Sequence, residues 1–328
     1  MPAALSREWL APFRVDVALT LSANGRGLSD PTFRIDHAGA VWRTSLTPDG
    51  PATIRVSPGK PQTSPAITTR VLAHAWGPGA EWFLDALPAA LGLYDDISGF
   101  DPSHHSLIGE LANRHAGLRL GRTGRLMEAL VPAILEQKVA SEEAHRAWKI
   151  LLAKYGTTPP GPAPTGMRVF PDPRIWRKIP TWDWHRAGVE GVRAQTIIRV
   201  AYLASSLERL LDSSDNADKS DKCNNCRCVS DEADRKLRTI PGIGPWTSAE
   251  VRQRAMGDPD AVSVGDYNLP KAVGWALAGH PKADDKIMLE LLEPYRGHRH
   301  RVARLVGLSG LRPPRRGPRM PVRDYRSF

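Results

Sequence analysis

Asp231-Glu-Ala-Asp-Arg-Lys-Leu-Arg-Thr-Ile-Pro-Gly-Ile-Gly-Pro-Trp-Thr-Ser-Ala-Glu-Val251 is the stretch on which the fold turns. It reads as a helix over Glu232 to Thr239, a break at Pro241-Gly242-Ile243-Gly244, and a second helix opened by Pro245. Proline suits a first helical position, because the N–H it lacks is one that has no helical partner there. Gly242 and Gly244 permit a tight turn and leave backbone N–H groups uncovered by a side chain. Those amides, with the start of the second helix at Trp246 and Thr247, form an anion site the size of a phosphate. Leu237, Ile240 and Ile243 have the spacing to pin the two helices together. Such a unit grips a nucleic-acid backbone without reading sequence. Many helix–turn–helix connections use a Pro-Gly-Ile-Gly turn, so the residues downstream of it decide its meaning.

Asp266 lies 22 residues beyond Gly244, in Ala261-Val-Ser-Val-Gly-Asp-Tyr-Asn-Leu-Pro-Lys-Ala272, where another helix is expected to start. An aspartate there serves as a helix N-cap, or as a catalytic carboxylate, and the two roles are compatible. With the hairpin before it, this constellation resembles the helix-hairpin-helix (HhH-GPD) DNA glycosylase superfamily. It is most similar to the DNA-3-methyladenine glycosylase II, or AlkA-like, branch, through Pro-Gly-Ile-Gly-x-Trp-Thr and the Asp266-Tyr267 pair. The resemblance extends to Ala133-Ile-Leu-Glu-Gln-Lys-Val139 and Pro294-Tyr-Arg-Gly-His-Arg299, and covers about residues 107 to 310.

The resemblance implies a monofunctional hydrolase of base excision repair. It would cut the N-glycosidic bond of alkylated bases of the 3-methyladenine and 7-methylguanine type in duplex DNA. Asp266 would stabilise the oxocarbenium-like sugar and orient water, after the nucleotide is flipped into a pocket. Trp246 and Tyr267 would face that base, although Trp246 reads equally well as hairpin core. Bifunctional members carry a nucleophilic lysine at the position of Trp246, which cannot form a Schiff base. Glu250 departs from the pattern, standing where the hairpin helix can carry a second aromatic. Gln137 and Lys138 stand where a related enzyme places an apolar wedge. The resemblance also implies a monovalent cation, Na or K, on the backbone carbonyls of Arg238, Ile240 and Ile243, with no cofactor otherwise required. A glycosylase for oxidised or deaminated bases, or a non-catalytic damage-binding protein, would use the same hairpin.

Composition agrees with a DNA partner without requiring one. Lysine and arginine number 45 against 35 acidic residues, a formal charge of +10. A surplus of this sign favours an anionic partner, nucleic acid before membrane. No apolar run approaches the roughly 18 residues of a membrane span, and the N-terminus lacks a secretory pattern, so a cytoplasmic location is the expectation. A monomer acting on double-stranded DNA is also expected. Cys223, Cys226 and Cys228 sit in a Ser/Asp/Asn/Lys-rich stretch from Asp212 to Ser230 that reads as a solvated loop. A structural zinc or iron–sulfur cluster normally takes four protein ligands, so no such cluster is expected.

The patterning predicts an α+β protein: a β-rich lobe over residues 1–100, a mainly α-helical core over 101–310, and a basic, disordered tail over 311–328; the resemblance implies that the helical part is an HhH-GPD core. Period-two alternation predicts strands at Arg14–Leu21, Thr32–His37 and Thr53–Val56, with turns at Asn24-Gly25 and Asp49-Gly50. Helical spacing groups Leu126, Leu130 and Ile134, then Ala144, Trp148, Leu151 and Tyr155. It resumes at Arg193–Leu211, Pro245–Met256, Leu269–Leu277 and Asp284–Leu292, with a Pro/Gly loop at Thr157–Gly166.

Overall fold

The computed structural model describes residues 4–59, 68–215 and 225–314. Its first part is an antiparallel sheet in the order β1-β5-β4-β3-β2. The strands are β1 (Leu5–Ala11), β2 (Phe33–Ile35), β3 (Val41–Thr47), β4 (Gly50–Pro58) and β5 (Thr69–Trp76). Alternation buries Ala52, Ile54 and Val56 of β4 and Val71, Ala73 and Ala75 of β5. A helix, Ala80–Ala90, covers that face with Phe83, Leu84 and Leu87. Each such large side chain contributes roughly 2 kcal/mol when fully buried.

Asp49-Gly50 does sit at the β3–β4 turn, where Thr47 pairs with Gly50. The strand expected over Arg14–Leu21 is instead α1, a single helical turn at Val17–Leu21. Its apolar positions served both periods, since Val17 and Leu21 are also one turn apart and both are buried. Asp16 decides for the helix by capping it, its carboxylate accepting from the Leu19 N–H at 2.9 Å. Strand β1 is nearly all exposed and shows no alternation to read.

With Ala80–Ala90 as α2, the helical part comprises α3 (Ser106–Arg114), α4 (Leu126–Leu135), α5 (Ser141–Tyr155) and α6 (Pro173–Trp176). Next come α7 (Thr181–Ala187), α8 (Gly191–Tyr202) and α9 (Ala204–Asp215), so the single helix expected over Arg193–Leu211 breaks at Leu203. The remainder are α10 (Asn225–Arg238), α11 (Pro245–Val251), α12 (Leu269–Ala278), α13 (Asp285–Leu292) and α14 (Arg299–Ser309). Helix α10 starts inside the stretch expected to be loop; Cys223 lies outside the described residues, as does the tail from residue 315. A π-helical turn, Arg252–Met256, extends α11.

Helix α4 is apolar nearly all round and is the centre of one core, packed by α5, α8, α9 and α11. Its Glu128 is the exception. That carboxylate accepts from Ser45 Oγ at 2.7 Å, Leu46 N at 2.9 Å and Arg43 Nη2 at 3.3 Å, keying the sheet onto the helices. A second core gathers Ile108 of α3, Val273 of α12, Met288 and Leu292 of α13, and Val302 and Val306 of α14. The chain between these cores, residues 257–268, carries Asp266.

Candidate active site

Helices α10 and α11 form the hairpin, pinned by buried Leu237, Ile240 and Ile243. Between them Pro241 and Gly242 are exposed. Gly242 has φ +96°, and a Cβ there would stand 2.3 Å from Thr196 Oγ1 of α8, so only glycine fits. Gly244 differs, since a Cβ there would meet nothing within 4 Å. Its amide has no acceptor among the described residues.

Gln137 follows α4 and acts as a strut into this hairpin. Its Nε2 donates to the Gly242 carbonyl at 2.9 Å and to Thr247 Oγ1 at 2.8 Å. This geometry bears on two expectations. Gln137 has its amide committed to the hairpin, which leaves it unsuited to wedging. Thr247 is buried with its hydroxyl occupied, so only its backbone remains for a phosphate. Lys138, next in the chain, is exposed and holds φ +55°, the one positive φ outside glycine among the described residues.

Asp266 is half-exposed at the entrance to α12. One carboxylate oxygen accepts from the Asn268 and Leu269 amides, each at 2.7 Å, so the side chain caps the helix. The other accepts from the indole Nε1 of Trp246 at 3.0 Å. The turn before it is fixed by the Gly265 amide, which donates to both Asp285 oxygens at 3.0 and 3.1 Å. Capping and positioning are therefore one arrangement: the carboxylate is held by three N–H donors.

Trp246, Glu250 and Arg254 are spaced one turn apart along α11 and its π-helical extension. Glu250 accepts from Ser263 Oγ at 2.6 Å and from Arg254 Nη1 at 2.7 Å. Arg254 Nε in turn donates to the Ala23 carbonyl at 3.0 Å, and Arg304 of α14 reaches Ser22 Oγ at 3.0 Å. A polar stripe thus continues along the helix from Trp246 and meets the N-terminal lobe at Ser22–Ala23. Desolvation and the neighbouring Arg254, Arg304 and Arg301 guanidiniums push His300 down to about 3, so its imidazole is neutral at pH 7.

Tyr267, expected against the base, is 77% exposed next to Asp266, with Lys271 Nζ 3.3 Å from its ring centroid. Arg299 is committed to Asp260 at 2.7 and 2.8 Å, and Tyr295 is buried in the second core. At the expected cation position the Ile240 carbonyl already accepts from the Ile243 N–H at 3.0 Å. No step of the chemistry assigned to Asp266 passes through an ion there. No group of three or more His, Cys, Asp or Glu side chains forms a metal site among the described residues. No described helix is long and apolar enough to cross a membrane.

No family model matches the chain. In sequence it is 27% identical over 186 residues to the probable bifunctional transcriptional activator/DNA repair enzyme AlkA of Mycobacterium tuberculosis. That alignment covers 57% of this chain and 33% of the relative, so the chain spans about a third of that protein's length. In structure it matches a 3-methyladenine DNA glycosylase from Archaeoglobus fulgidus with a TM-score of 0.66 at 16% identity, covering 92% of this chain and 97% of that one. It also matches a Clostridium acetobutylicum 8-oxoguanine glycosylase/lyase with a TM-score of 0.62 at 14% identity, over 94% and 98% of the two chains. The chain has the helix-hairpin-helix glycosylase fold.

Within the glycosylase fold, the hairpin and Asp266 were legible from sequence, whereas three features were not. The Gln137 strut, the Glu250–Arg254–Ser263 network and the Ser22–Ala23 junction all depend on contacts between segments far apart in sequence. Only the departure at Glu250 hinted at any of them.

Proposed function

We propose that this chain is a monofunctional DNA glycosylase that releases alkylated purines from duplex DNA by hydrolysis. The observation that carries the reading is Asp266, a carboxylate held by the Trp246 indole and capping α12 beside an exposed glycine hairpin. Backbone amides around Gly244 would meet a phosphate and set the duplex against the site. A nucleotide flipped into the cleft would bring its sugar to Asp266, whose fixed negative charge stabilises the sugar as the base leaves. Water completes the reaction, with Asp266 orienting it or taking its proton.

A cationic base departs with little help from an acid, which suits a site offering one carboxylate at the sugar. Glu250, one turn beyond Trp246, is paired with Arg254 and bonded by Ser263, so it adds no uncompensated charge to the site. Duplexes with a single 7-methylguanine, hypoxanthine or 8-oxoguanine, developed by alkali after incubation, test the substrate class. The 7-methylguanine duplex is expected to be cut fastest. Preferred cutting at 8-oxoguanine would assign the pocket to oxidised bases.

The product depends on Trp246. Its indole is occupied with Asp266, and Lys271 is parked over the Tyr267 ring. Borohydride present during turnover should therefore trap no covalent protein–DNA adduct. An adduct in yields like those of a known lyase would overturn the monofunctional assignment and point to a lysine nucleophile.

Gly244 tests the grip separately from the chemistry. Because a Cβ there meets no protein atom, Gly244→Ala should keep the wild-type helical spectrum and melting temperature. It should weaken binding to damaged and intact duplex alike, by roughly tenfold if one phosphate contact is lost. Single-turnover release from saturated enzyme should change little. Normal duplex binding by the folded variant would reduce the hairpin to a structural corner.

A further inference from the structure

Leu28 has a side chain in contact with nothing, fully exposed at 101%. A single exposed leucine is ordinary on a protein surface. The backbone that carries this one is unusually well anchored. Asp30 accepts from the Arg26 amide at 2.7 Å, from Thr32 N and Oγ1 at 2.8 and 2.9 Å, and from Trp148 Nε1 of α5 at 3.0 Å. The Arg26 guanidinium is buried and reaches both Glu136 oxygens at 2.9 Å. At Gly27 the chain runs so close to α5 that a Cβ would lie 2.7 Å from His145 Nδ1. Residues on both sides of Leu28 are tied to the helical core, and its own side chain is left in water.

The anchors also say where Leu28 stands. Glu136, which holds Arg26, is followed by Gln137, the strut that bonds the hairpin at Gly242 and Thr247. At the other end of the same segment, Ser22 and Ala23 accept hydrogen bonds from Arg304 and Arg254, the latter two turns along from Trp246. The chain from Ser22 to Asp30 therefore runs from the Arg254 end of the stripe that Trp246 begins to Glu136, next to the strut that bonds the hairpin. Leu28 projects from that segment.

We propose that Leu28 enters the DNA base stack and fills the gap left when the damaged nucleotide is flipped out, a role that rests on the glycosylase reading. The vacated gap is about 3.4 Å thick per nucleotide and is bounded by the flat faces of the neighbouring bases. A leucine fills such a space with no polar group to desolvate. Gln137 is committed to the hairpin, and Lys138 would have to carry its ammonium into the stack. A loop already fixed in place loses little freedom on insertion, so the gain from covering the leucine is largely kept. In this arrangement Lys138, exposed beside Gln137, stays with the phosphates.

The test uses the full chain and a duplex with a tetrahydrofuran abasic analogue, with 2-aminopurine as the adjoining base. Wild-type binding should raise the 2-aminopurine fluorescence as that base unstacks. Leu28→Ala should bring the signal close to that of free duplex and lower kcat/KM for 7-methylguanine release by about tenfold or more. Its melting temperature should match wild type, because the side chain packs on no protein atom. Leu28→Phe should restore the signal, and Lys138→Ala should leave it in place. A wild-type signal from Leu28→Ala, or its loss in Lys138→Ala alone, would overturn the assignment while base release by the wild type kept the glycosylase reading intact. If the wild type neither prefers the abasic duplex nor releases base, both readings fall together.

Discussion

Asp266→Asn should abolish base release, lowering the single-turnover rate by at least about 100-fold, while binding to an abasic-analogue duplex stays near wild type. The asparagine carbonyl can keep accepting from the Asn268 and Leu269 amides, so the cap on α12 survives. On the other side its NH2 group would face the Trp246 N–H, donor against donor, in place of a 3.0 Å bond. Losing that one bond should cost about 1 kcal/mol of stability. The rate loss has a different origin: the neutral amide no longer offsets positive charge on the sugar as the base leaves. Retention of more than about a tenth of wild-type activity would move the catalytic carboxylate elsewhere, since such groups usually contribute 100-fold or more. Measuring rate and melting temperature on one preparation separates the two effects.

The second large effect lies at Glu136, which joins the N-terminal lobe to the hairpin strut. Burial alone would push its carboxyl up, but the Arg26 guanidinium, a hydrogen bond from His145 and the charge of Arg254 outweigh it, holding Glu136 at about 2. An ordinary glutamate titrates at 4.5. The folded state therefore binds the proton more weakly than the unfolded one. The resulting stabilisation is fully present above pH 4.5 and is lost as pH falls toward 2. It amounts to about 3 kcal/mol. Glu136→Gln should remove this part of the acid dependence.

At neutral pH the same variant should be destabilised by roughly 3–5 kcal/mol, because Arg26 stays buried without its counter-charge. A drop in melting temperature on the order of 10 °C is expected. Thermal unfolding of both proteins at pH 7 and across pH 2 to 5 checks the prediction. Parallel pH profiles with equal neutral-pH stability would show that the pair contributes nothing.

The sequence carried the hairpin because its information is local. Pro241, Gly242, Gly244 and Pro245 each suit one backbone position, and Asp266 lies at a fixed distance along the chain. The apolar faces of α4 and α5 were legible for the same reason, as periods within one segment. Arg14–Leu21 misled because Val17 and Leu21 satisfy both the two-residue and the four-residue spacing, and only the Asp16 cap separates them. Tyr267 follows an Asp266 that meets Trp246, and its ring is exposed beside that pair. Gln137 stands in the loop where a wedge was expected, but its bonds to Gly242 and Thr247 span more than 100 residues. No spacing within a segment reports such a contact.

Release of free base is the most direct measurement. A methylated duplex should be incubated with excess protein and the supernatant assayed by mass spectrometry for 7-methylguanine and 3-methyladenine, beside a heat-only blank. The wild type should release both well above the blank and leave the strand unbroken until alkali is added, and Asp266→Asn should match the blank. A wild-type chain that binds the duplex but releases no base would show a damage-binding protein rather than an enzyme.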